Sequence, residues 1–180
     1  ELTESLKGLP TRTTQFGRFD KGLAYTILMK YYMHEKNWAK AEECGRELLK
    51  AEYGYGLMDR YADIFTLENE GNKEIIFACT EERGTNLQLW HDHALPGNYP
   101  TKNASIQKWD GYKVPWPFYR TFEEGDDRLS VLVGEYVGTD GVLFNEESDI
   151  AKHGNLYSGA VPVKYGEGPE STGDGSQIDL

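Results

Sequence analysis

The strongest constraint on the fold is a pair of apolar stripes with helical spacing near the start of the chain. Apolar side chains recur at steps of four residues on two adjoining lines, Leu23, Ile27 and Tyr31 on one and Ala24, Leu28 and Tyr32 on the other. Asp20 precedes them, and its carboxylate can accept a hydrogen bond from an unpaired backbone N–H of the first turn. The pattern predicts a helix over 20–34 whose broad apolar face must be covered by another element.

A second helix is predicted over 38–52, after a polar link in which Asn37 can serve as the cap. Its inner side is expected to carry the apolar and small residues Trp38, Ala41, Gly45, Leu48 and Leu49. Because the link is short, the two helices are expected to pack antiparallel as a hairpin. The small side chains of Ala41 and Gly45 would allow a close approach of the two helices.

The hairpin is similar in spacing to a tetratricopeptide repeat, although Met29 stands where a small residue is usual. Only one copy is found, whereas a solenoid needs about three repeats for stability, so the others have either diverged or lie outside this sequence. The chain begins at Glu1 rather than Met, and no signal-like apolar run precedes the hairpin. We therefore expect a piece of a longer protein, with uncovered apolar helix surface among Leu23, Ile27, Leu28, Leu48 and Leu49.

The rest of the chain carries shorter signals for regular structure. We expect a helical turn over 61–65, a buried strand over 73–79, a helix over 118–124 that stops at Gly125, and strands over 129–137 and 142–144 joined by a turn at 138–141. Residues 85–117 are expected to form a long loop. The tail 167–176, rich in Gly, Pro, Ser and Asp, is expected to be mobile.

The composition argues against several classes of function. Thirty acidic against nineteen basic residues give a formal net charge of −11, which would repel the phosphates of nucleic acid and leaves neutral small molecules or proteins as partners. No stretch approaches the roughly 20 apolar residues that a membrane-spanning helix needs. Cys44 and Cys79 have no CxxC motif, so two buried free thiols or one disulfide are expected rather than a metal or redox site.

Aromatic residues concentrate in the predicted loop. Aromatic residues make up 13% of the chain, and three of the four Trp lie between positions 90 and 116. One interpretation is a sugar-binding surface, because a rigid ring buries the flat C–H face of a pyranose at low entropic cost while nearby amides bind its hydroxyls. The other is that the rings anchor the loop to the scaffold. As ligand-binding residues we predict Trp90, Tyr99, Trp109, Tyr112, Asn98 and Asn103.

Other candidate motifs have simpler structural interpretations. The triplet 91–93, His-Asp-His, could ligate a metal, but no third ligand is evident and an exposed loop is expected instead. Asp126-Asp127-Arg128 suits a local turn in which Arg128 pairs an acid and Asp126 binds backbone amides. Trp116, between two prolines, is expected to be a structural plug, and the acidic run 146–149 a solvated turn. No catalytic sequence motif is present, so neither an enzyme nor a cofactor is expected. A pair of carboxylates for glycoside hydrolysis is defined by the distance between them in three dimensions, which a sequence does not give.

Four segments, taken in order, resemble the SusD/RagB family. They are GRFDKG at 17–22 with NWAKA at 37–41, YADIFT at 61–66 with NKEIIF at 72–77, FEEGDDR at 122–128, and VKY at 163–165. The chain is therefore identified as a central fragment of a SusD-like domain, with a helical scaffold over 17–66 and a ligand region of loops and short strands over 67–180. The fold class expected is mostly α with minor β, on tetratricopeptide-like hairpins.

The resemblance also implies a function. Members of the family are non-catalytic lipoproteins on the outer surface of the bacterial outer membrane, which bind oligosaccharides (in some relatives peptides) and pass them to a SusC-like TonB-dependent transporter. The family's lipidated N-terminal cysteine and the Arg-Tyr-Ala-Asp-type helix after 163–165 have no counterpart here. A different hypothesis, a helical-repeat adaptor that binds proteins and no glycan, would draw on the hairpin alone. It is less favoured because the distinctive residues lie on the loops.

Overall fold

The computed structural model describes residues 1–82, 85–150, 154–167 and 175–179. The chain forms two compact units, one of Glu1–Met58 and Gly71–Thr80 and the other of Asp59–Glu70 and Glu81–Leu180. The chain enters the second unit at Asp59, returns to the first at Gly71 and leaves it again after Thr80.

The first unit is built on the predicted helical hairpin. After the short helix α1 (Leu2–Ser5), α2 spans Lys21–His34 and α3 spans Trp38–Leu48, and a 3₁₀ turn follows at Ala51–Tyr53. Both predicted caps are confirmed, since Asp20 Oδ1 accepts from the backbone N of Leu23 at 3.0 Å and Asn37 Oδ1 from that of Lys40 at 3.3 Å. The two helices pack directly on each other across the short link 35–37, as an antiparallel pair.

The hairpin buries a narrower stripe than the sequence predicts. The buried residues at its centre are Ala24, Leu28, Ala41, Cys44 and Leu48, and Met29 Sδ lies 3.4 Å from where a Cβ of Gly45 would be. The prediction for Trp38 and Leu49 is wrong, because their side chains are 63% and 83% exposed at the two ends of α3, beyond the part that packs on α2. Ile27 is also exposed, which confirms that apolar helix surface remains uncovered.

The predicted strand over 73–79 is not formed. Asn72 Oδ1 accepts from the backbone N of Glu74 at 2.9 Å, which turns the chain at the start of the segment. No strand pairs with residues 73–79 within the described part of the chain. One main-chain hydrogen bond, from Gly56 N to the carbonyl oxygen of Lys73 at 3.0 Å, and packing hold the segment, with Phe77 against Phe19 at 5.7 Å between ring centroids and Ala78 buried. Cys44 is a buried free thiol, whereas Cys79 is free and exposed.

The second unit combines short helices with two small sheets. It contains 3₁₀ turns at Tyr61–Phe65, Leu67–Asn69 and Asp127–Val131, the helices α4 (Trp90–Ala94), α5 (Trp116–Tyr119) and α6 (Glu146–Ile150), and the strands β1 (Val114–Pro115), β2 (Leu132–Val133), β3 (Glu135–Val137), β4 (Leu143–Asn145) and β5 (Gly159–Pro162). The turn predicted over 61–65 is confirmed, and β3 and β4 form the predicted hairpin.

The core of this unit lies around β5, the central strand of a three-stranded antiparallel sheet with the order β1-β5-β2. All four residues of β5 are buried. A Cβ on Gly159 would lie 2.0 Å from the carbonyl oxygen of Val114, so only glycine fits where β1 crosses. Trp116 is the predicted structural plug, because it is 7% exposed and its Nε1 donates to the carbonyl oxygen of Leu156 at 2.8 Å.

Several other local predictions need correction. The strand predicted over 129–137 begins as a 3₁₀ turn and breaks at Gly134 between β2 and β3, and α5 starts two residues earlier than predicted and ends at Tyr119 rather than at 124. The acidic run 146–149 is helical. Glu147 is exposed, whereas Asp149 is buried, and its carboxylate accepts from the backbone N of Leu156 at 3.1 Å in place of water. The tail predicted to be mobile, 167–176, lies outside the described residues over 168–174.

The Asp126-Asp127-Arg128 turn forms as predicted. Asp126 Oδ1 accepts from the backbone N of Arg128 at 3.0 Å, and the Arg128 guanidinium pairs with the same carboxylate at 2.5 Å. The side-chain and backbone hydrogen bonds from Arg128 lower the pKa of Asp126 to about 2. The carboxylate therefore serves a local cap.

Candidate ligand-binding site

The aromatic-rich segment is not an irregular loop, because its two ends are tied together by main-chain hydrogen bonds. It begins with α4, where the side chain of Gln88 accepts from the backbone N of Trp90 at 2.6 Å. The chain then leaves at Leu95 and returns at Asp110, whose N–H donates to the carbonyl oxygen of Leu95 at 3.1 Å. The carbonyl oxygen of His93 accepts from the backbone N of both Gly111, at 2.6 Å, and Tyr112, at 2.8 Å. Residues 96–109 thus form a closed loop on a short stem.

Three rings meet at this stem, His93, Trp109 and Tyr112, and we call them the aromatic surface; Trp109 and Tyr112 are exposed, whereas His93 is partly buried. Tyr112 stacks on His93 with 5.0 Å between ring centroids, and Trp109 meets the same imidazole edge-on at 4.8 Å. Trp109 and Tyr112 are 50% and 43% exposed. Because backbone hydrogen bonds fix the stem, these rings are held in place before any ligand arrives.

Trp90 supports the aromatic surface from behind rather than forming part of its exposed face. Its ring lies 5.4 Å from that of Tyr112 and 5.4 Å from that of Tyr165, and its Nε1 donates to the carbonyl oxygen of Pro162 at 2.8 Å. The indole is only partly exposed. Of the predicted residues, the structure therefore brings together Trp90, Trp109 and Tyr112, with the first as an anchor.

Asn98 and Tyr99 belong to a different group, centred on the buried ring of Tyr136 in β3. Tyr136 Oη donates to Asn98 Oδ1 at 2.8 Å, and Asn155 Nδ2 donates to both, at 2.6 Å to Asn98 Oδ1 and 2.7 Å to Tyr136 Oη. Tyr99 packs against the same ring at 5.0 Å. Burial raises the pKa of Tyr136 to about 12, so its hydroxyl stays a donor at all ordinary pH values. The Asn98 oxygen is thereby committed to the fold.

Asn103 lies apart from both groups, in a turn at the far end of the closed loop. Its Oδ1 accepts from the backbone N and the hydroxyl of Ser105, at 3.0 and 2.8 Å. Its backbone N donates to Glu167 Oε1 at 2.5 Å, and Lys102 N donates to the other oxygen of the same carboxylate at 2.8 Å. Its predicted role as a partner of sugar hydroxyls stays a prediction.

The second unit also contains a cavity that the sequence did not indicate. Its volume is about 450 Å³, within the range usual for small-molecule sites. The charged and polar residues that line it include Asp63, His91, Tyr99, Thr101, Lys102, Lys164 and Glu167. The rings of the aromatic surface are not among its lining residues, so only Tyr99 of the predicted set borders this concavity.

The interpretation of His91-Asp92-His93 as an exposed loop is wrong. The triplet lies in α4, where His91 and Asp92 are 3% and 1% exposed and His93 stacks under Tyr112. Burial lowers the pKa of His91, so this imidazole is neutral at pH 7. Among the described residues, no group of three or more His, Cys, Asp or Glu could hold a metal ion. No described helix is long and apolar enough to cross a membrane.

Comparisons with known proteins place the fold. The sequence matches no known family profile and no curated protein. Its structure is similar to surface glycan-binding protein A from Bacteroides thetaiotaomicron, with a TM-score of 0.74 at 17% identity over 99% of this chain and 44% of that one. The same protein in complex with laminarihexaose gives 0.73 at 17% identity and the same coverage. A SusD superfamily protein from Parabacteroides distasonis ATCC 8503 gives 0.73 at 13% identity over 99% of this chain and 40% of that one.

The class defined by these similarities is the SusD-like fold, and the predicted fold class is confirmed. More particularly, the chain has the fold of a segment of surface glycan-binding protein A, and it spans less than half the length of the solved structures it matches. The predicted helical scaffold with short strands is therefore a SusD-like fragment.

Two features of the site escaped the sequence analysis. His93 is the ring that contacts both Trp109 and Tyr112. It follows Trp90 by three residues, which places the two side chains on one side of a helix, but the sequence did not predict a helix there. The cavity gathers residues from 62–66, 91–102, 130–131 and 163–167, which no local pattern connects.

Proposed function

We propose that the aromatic surface binds a neutral oligosaccharide, and that the protein is a non-catalytic glycan-binding subunit. The observation that carries the proposal is the pair of half-exposed rings, Trp109 and Tyr112, held on one imidazole by a stem of main-chain hydrogen bonds. Two preorganised rings offer apolar contact to the C–H faces of sugar rings at low entropic cost.

Polar groups beside the rings complete the chemistry. Trp109 Nε1 donates to Gln107 Oε1 at 3.1 Å, and Asp110 forms an ion pair with Lys113 next to the stem. These groups can bind the hydroxyls that flank a sugar's apolar face. Support also comes from the laminarihexaose complex of a protein with the same fold.

The proposal extends to the wider role that the resemblance to the SusD/RagB family implies. We propose that the full-length protein lies on the outer surface of the outer membrane, attached through a lipid anchor, and delivers oligosaccharide to a SusC-like TonB-dependent transporter. The net charge of −11 favours a neutral ligand over a polyanion at the aromatic surface.

The test is calorimetry of the chain against a panel of neutral hexasaccharides that includes laminarihexaose. Replacing Trp109 or Tyr112 with Ala should weaken binding tenfold to a hundredfold, because loss of a buried ring costs about 1–3 kcal/mol. Trp38→Ala is the matched control, since Trp38 is 63% exposed in the first unit and should not affect binding.

Two results would contradict the proposal. One is a parent that binds a hexasaccharide while both single variants, correctly folded by circular dichroism, bind it equally well. The other is release of reducing sugar from a bound hexasaccharide, which would make the protein a glycosidase.

A further inference from the structure

The cavity of about 450 Å³ in the second unit is a separate concavity with its own chemistry. Tyr99, Thr101 and Lys102 of the closed loop line it, together with His91 of α4 and Lys164 after β5. Its size suits one sugar residue or a small acid rather than a long chain.

One buried polar atom on its wall, Thr101 Oγ1, has no hydrogen-bond partner within the described part of the chain. The imidazole of His91, which is only 3% exposed, is hydrogen-bonded to the backbone of Tyr165 and Gly166. A buried donor or acceptor left unpaired destabilises the fold by about 1–3 kcal/mol, so such groups are normally satisfied by water or by a ligand. An unpaired hydroxyl on the wall of a cavity therefore indicates a position that a bound molecule can complete.

A cation lines the same cavity. The Lys164 ammonium lies 4.3 Å from the ring centroid of Phe65 and 5.1 Å from that of Tyr165. It forms no ion pair or hydrogen bond with any residue that the structure describes, and burial lowers its pKa. An ammonium in a partly desolvated setting attracts an anion more strongly than one in bulk water.

The acids of the cavity do not fill this role. Both oxygens of Glu167 accept backbone N–H groups, from Lys102 at 2.8 Å and Asn103 at 2.5 Å. Asp63, the other acid on the wall, has no ion pair with a described lysine. The wall is therefore rich in side-chain donors, to which a carboxylate, an acceptor only, is complementary.

We propose that this cavity binds a carboxylated sugar residue, a uronate, with Lys164 as the counter-ion of its carboxylate and with the Thr101 hydroxyl as a partner of one of its oxygens. Tyr99, which also lines the cavity, supplies the apolar face. The sugar identity of this ligand rests on the proposed glycan binding, whereas the requirement for a carboxylate rests on the cavity alone.

The experiment titrates the full chain, 20.4 kDa, with glucuronate, galacturonate, glucose, galactose and acetate, each followed by backbone amide shifts in NMR. We expect the uronates to shift amides at Thr101 and Lys164 and to bind at least about tenfold more tightly than the neutral sugars or acetate. Equal binding of glucose, or binding of acetate as tight as that of the uronates, overturns the proposal, as does the absence of uronate binding.

Variants then assign the binding to the cavity. Lys164→Gln should weaken uronate binding about tenfold or more, and Lys164→Arg should retain most of it. Lys40→Gln is the matched control, because Lys40 also places its ammonium over a ring, that of Tyr32 at 5.2 Å, in the first unit. Thr101→Val, which removes a hydroxyl at constant shape, is the second probe should Lys164→Gln prove unstable in a thermal melt. Uronate binding that survives in both Lys164→Gln and Thr101→Val contradicts the assignment.

The two proposals fail separately. Trp109→Ala should leave uronate binding unchanged, because Trp109 does not line the cavity. Loss of uronate binding in Trp109→Ala would overturn the cavity proposal. Loss of hexasaccharide binding in Trp109→Ala tests the aromatic surface instead. If the parent protein binds no neutral hexasaccharide, the proposed function fails, and the uronate titration still tests the cavity.

Discussion

Replacement of Tyr136 by Phe isolates the contribution of the polar network beneath the closed loop. The substitution keeps the ring, which is 8% exposed and stacks on Phe144 at 5.2 Å, and removes only the hydroxyl. That hydroxyl donates to Asn98 Oδ1 at 2.8 Å and accepts from Asn155 Nδ2 at 2.7 Å. The change therefore removes these hydrogen bonds without opening a large cavity.

The magnitude follows from those contacts. A buried hydrogen bond contributes about 0.5–1.5 kcal/mol, and a partner left unpaired adds to the loss. Asn155 keeps its bond to Asn98 at 2.6 Å, which limits the damage. We expect the free energy of unfolding of the second unit to fall by about 2 kcal/mol, equivalent to a decrease of about 8 °C in melting temperature for a unit of this size.

The assay is urea unfolding followed by tryptophan fluorescence in a Trp38→Phe background, because the remaining three Trp lie in the second unit and report on it alone. Tyr112→Phe is the matched control, since it also removes a phenol hydroxyl but from a ring that is 43% exposed. A loss below about 0.5 kcal/mol in Tyr136→Phe, equal to that of the control, would refute the argument that this network stabilises the unit.

Two further predictions concern stability. Asp20→Ala should lower the free energy of unfolding of the first unit by about 1–3 kcal/mol, because the buried carboxylate accepts from the backbone N of Leu23 at 3.0 Å and of Thr13 at 3.1 Å; far-ultraviolet circular dichroism in urea measures it, and Asp20→Asn should recover part of the loss. The lowered pKa of His91 means that the unfolded state binds more protons, so stability should fall as the pH drops below about 6.5, and less steeply in His91→Gln; identical pH profiles in parent and variant would show that His91 does not contribute.

The helical hairpin could be predicted because its signals are local. The period of four and the caps at Asp20 and Asn37 lie within the segment that folds, and the structure follows them. The same reasoning was wrong for Trp38 and Leu49, since periodicity tells which residues share a line but not where the partner helix ends.

The chain outside the hairpin was predicted less well because its structure depends on distant contacts. The segment 73–79 has the composition of a strand but no neighbouring strand to pair with in the described part of the chain, whereas β1 and β5 pair across a long stretch of sequence. Likewise, α4 is short and lacks strong periodicity, so nothing local indicated that His91 and Asp92 are buried.

For the candidate site, residue type predicted more than position. Trp109 and Tyr112 are both exposed, as binding of a sugar to aromatic rings requires. Trp90 instead supports Tyr112 from behind, and Asn98 belongs to a hydrogen-bond network around the buried Tyr136. The hydrogen-bond partners of the Asn98 side chain are Tyr136 in β3 and Asn155, which are both remote from it in sequence. Composition therefore located the segment but could not separate its anchors from its contact surface.

The stem of the closed loop has a consequence for how such proteins diversify. Its hydrogen bonds join backbone atoms of Leu95 to Asp110 and of His93 to Gly111 and Tyr112, so they do not depend on which side chains the loop carries. Residues of 96–109 other than the network residue Asn98 and the buried Ile106 can therefore be exchanged, or the loop lengthened, while the scaffold persists. One such exchange would alter Trp109 of the aromatic surface together with Tyr99 and Thr101 of the cavity wall. A single insertion or recombination event could then change which ligand the protein binds without the evolution of a new fold.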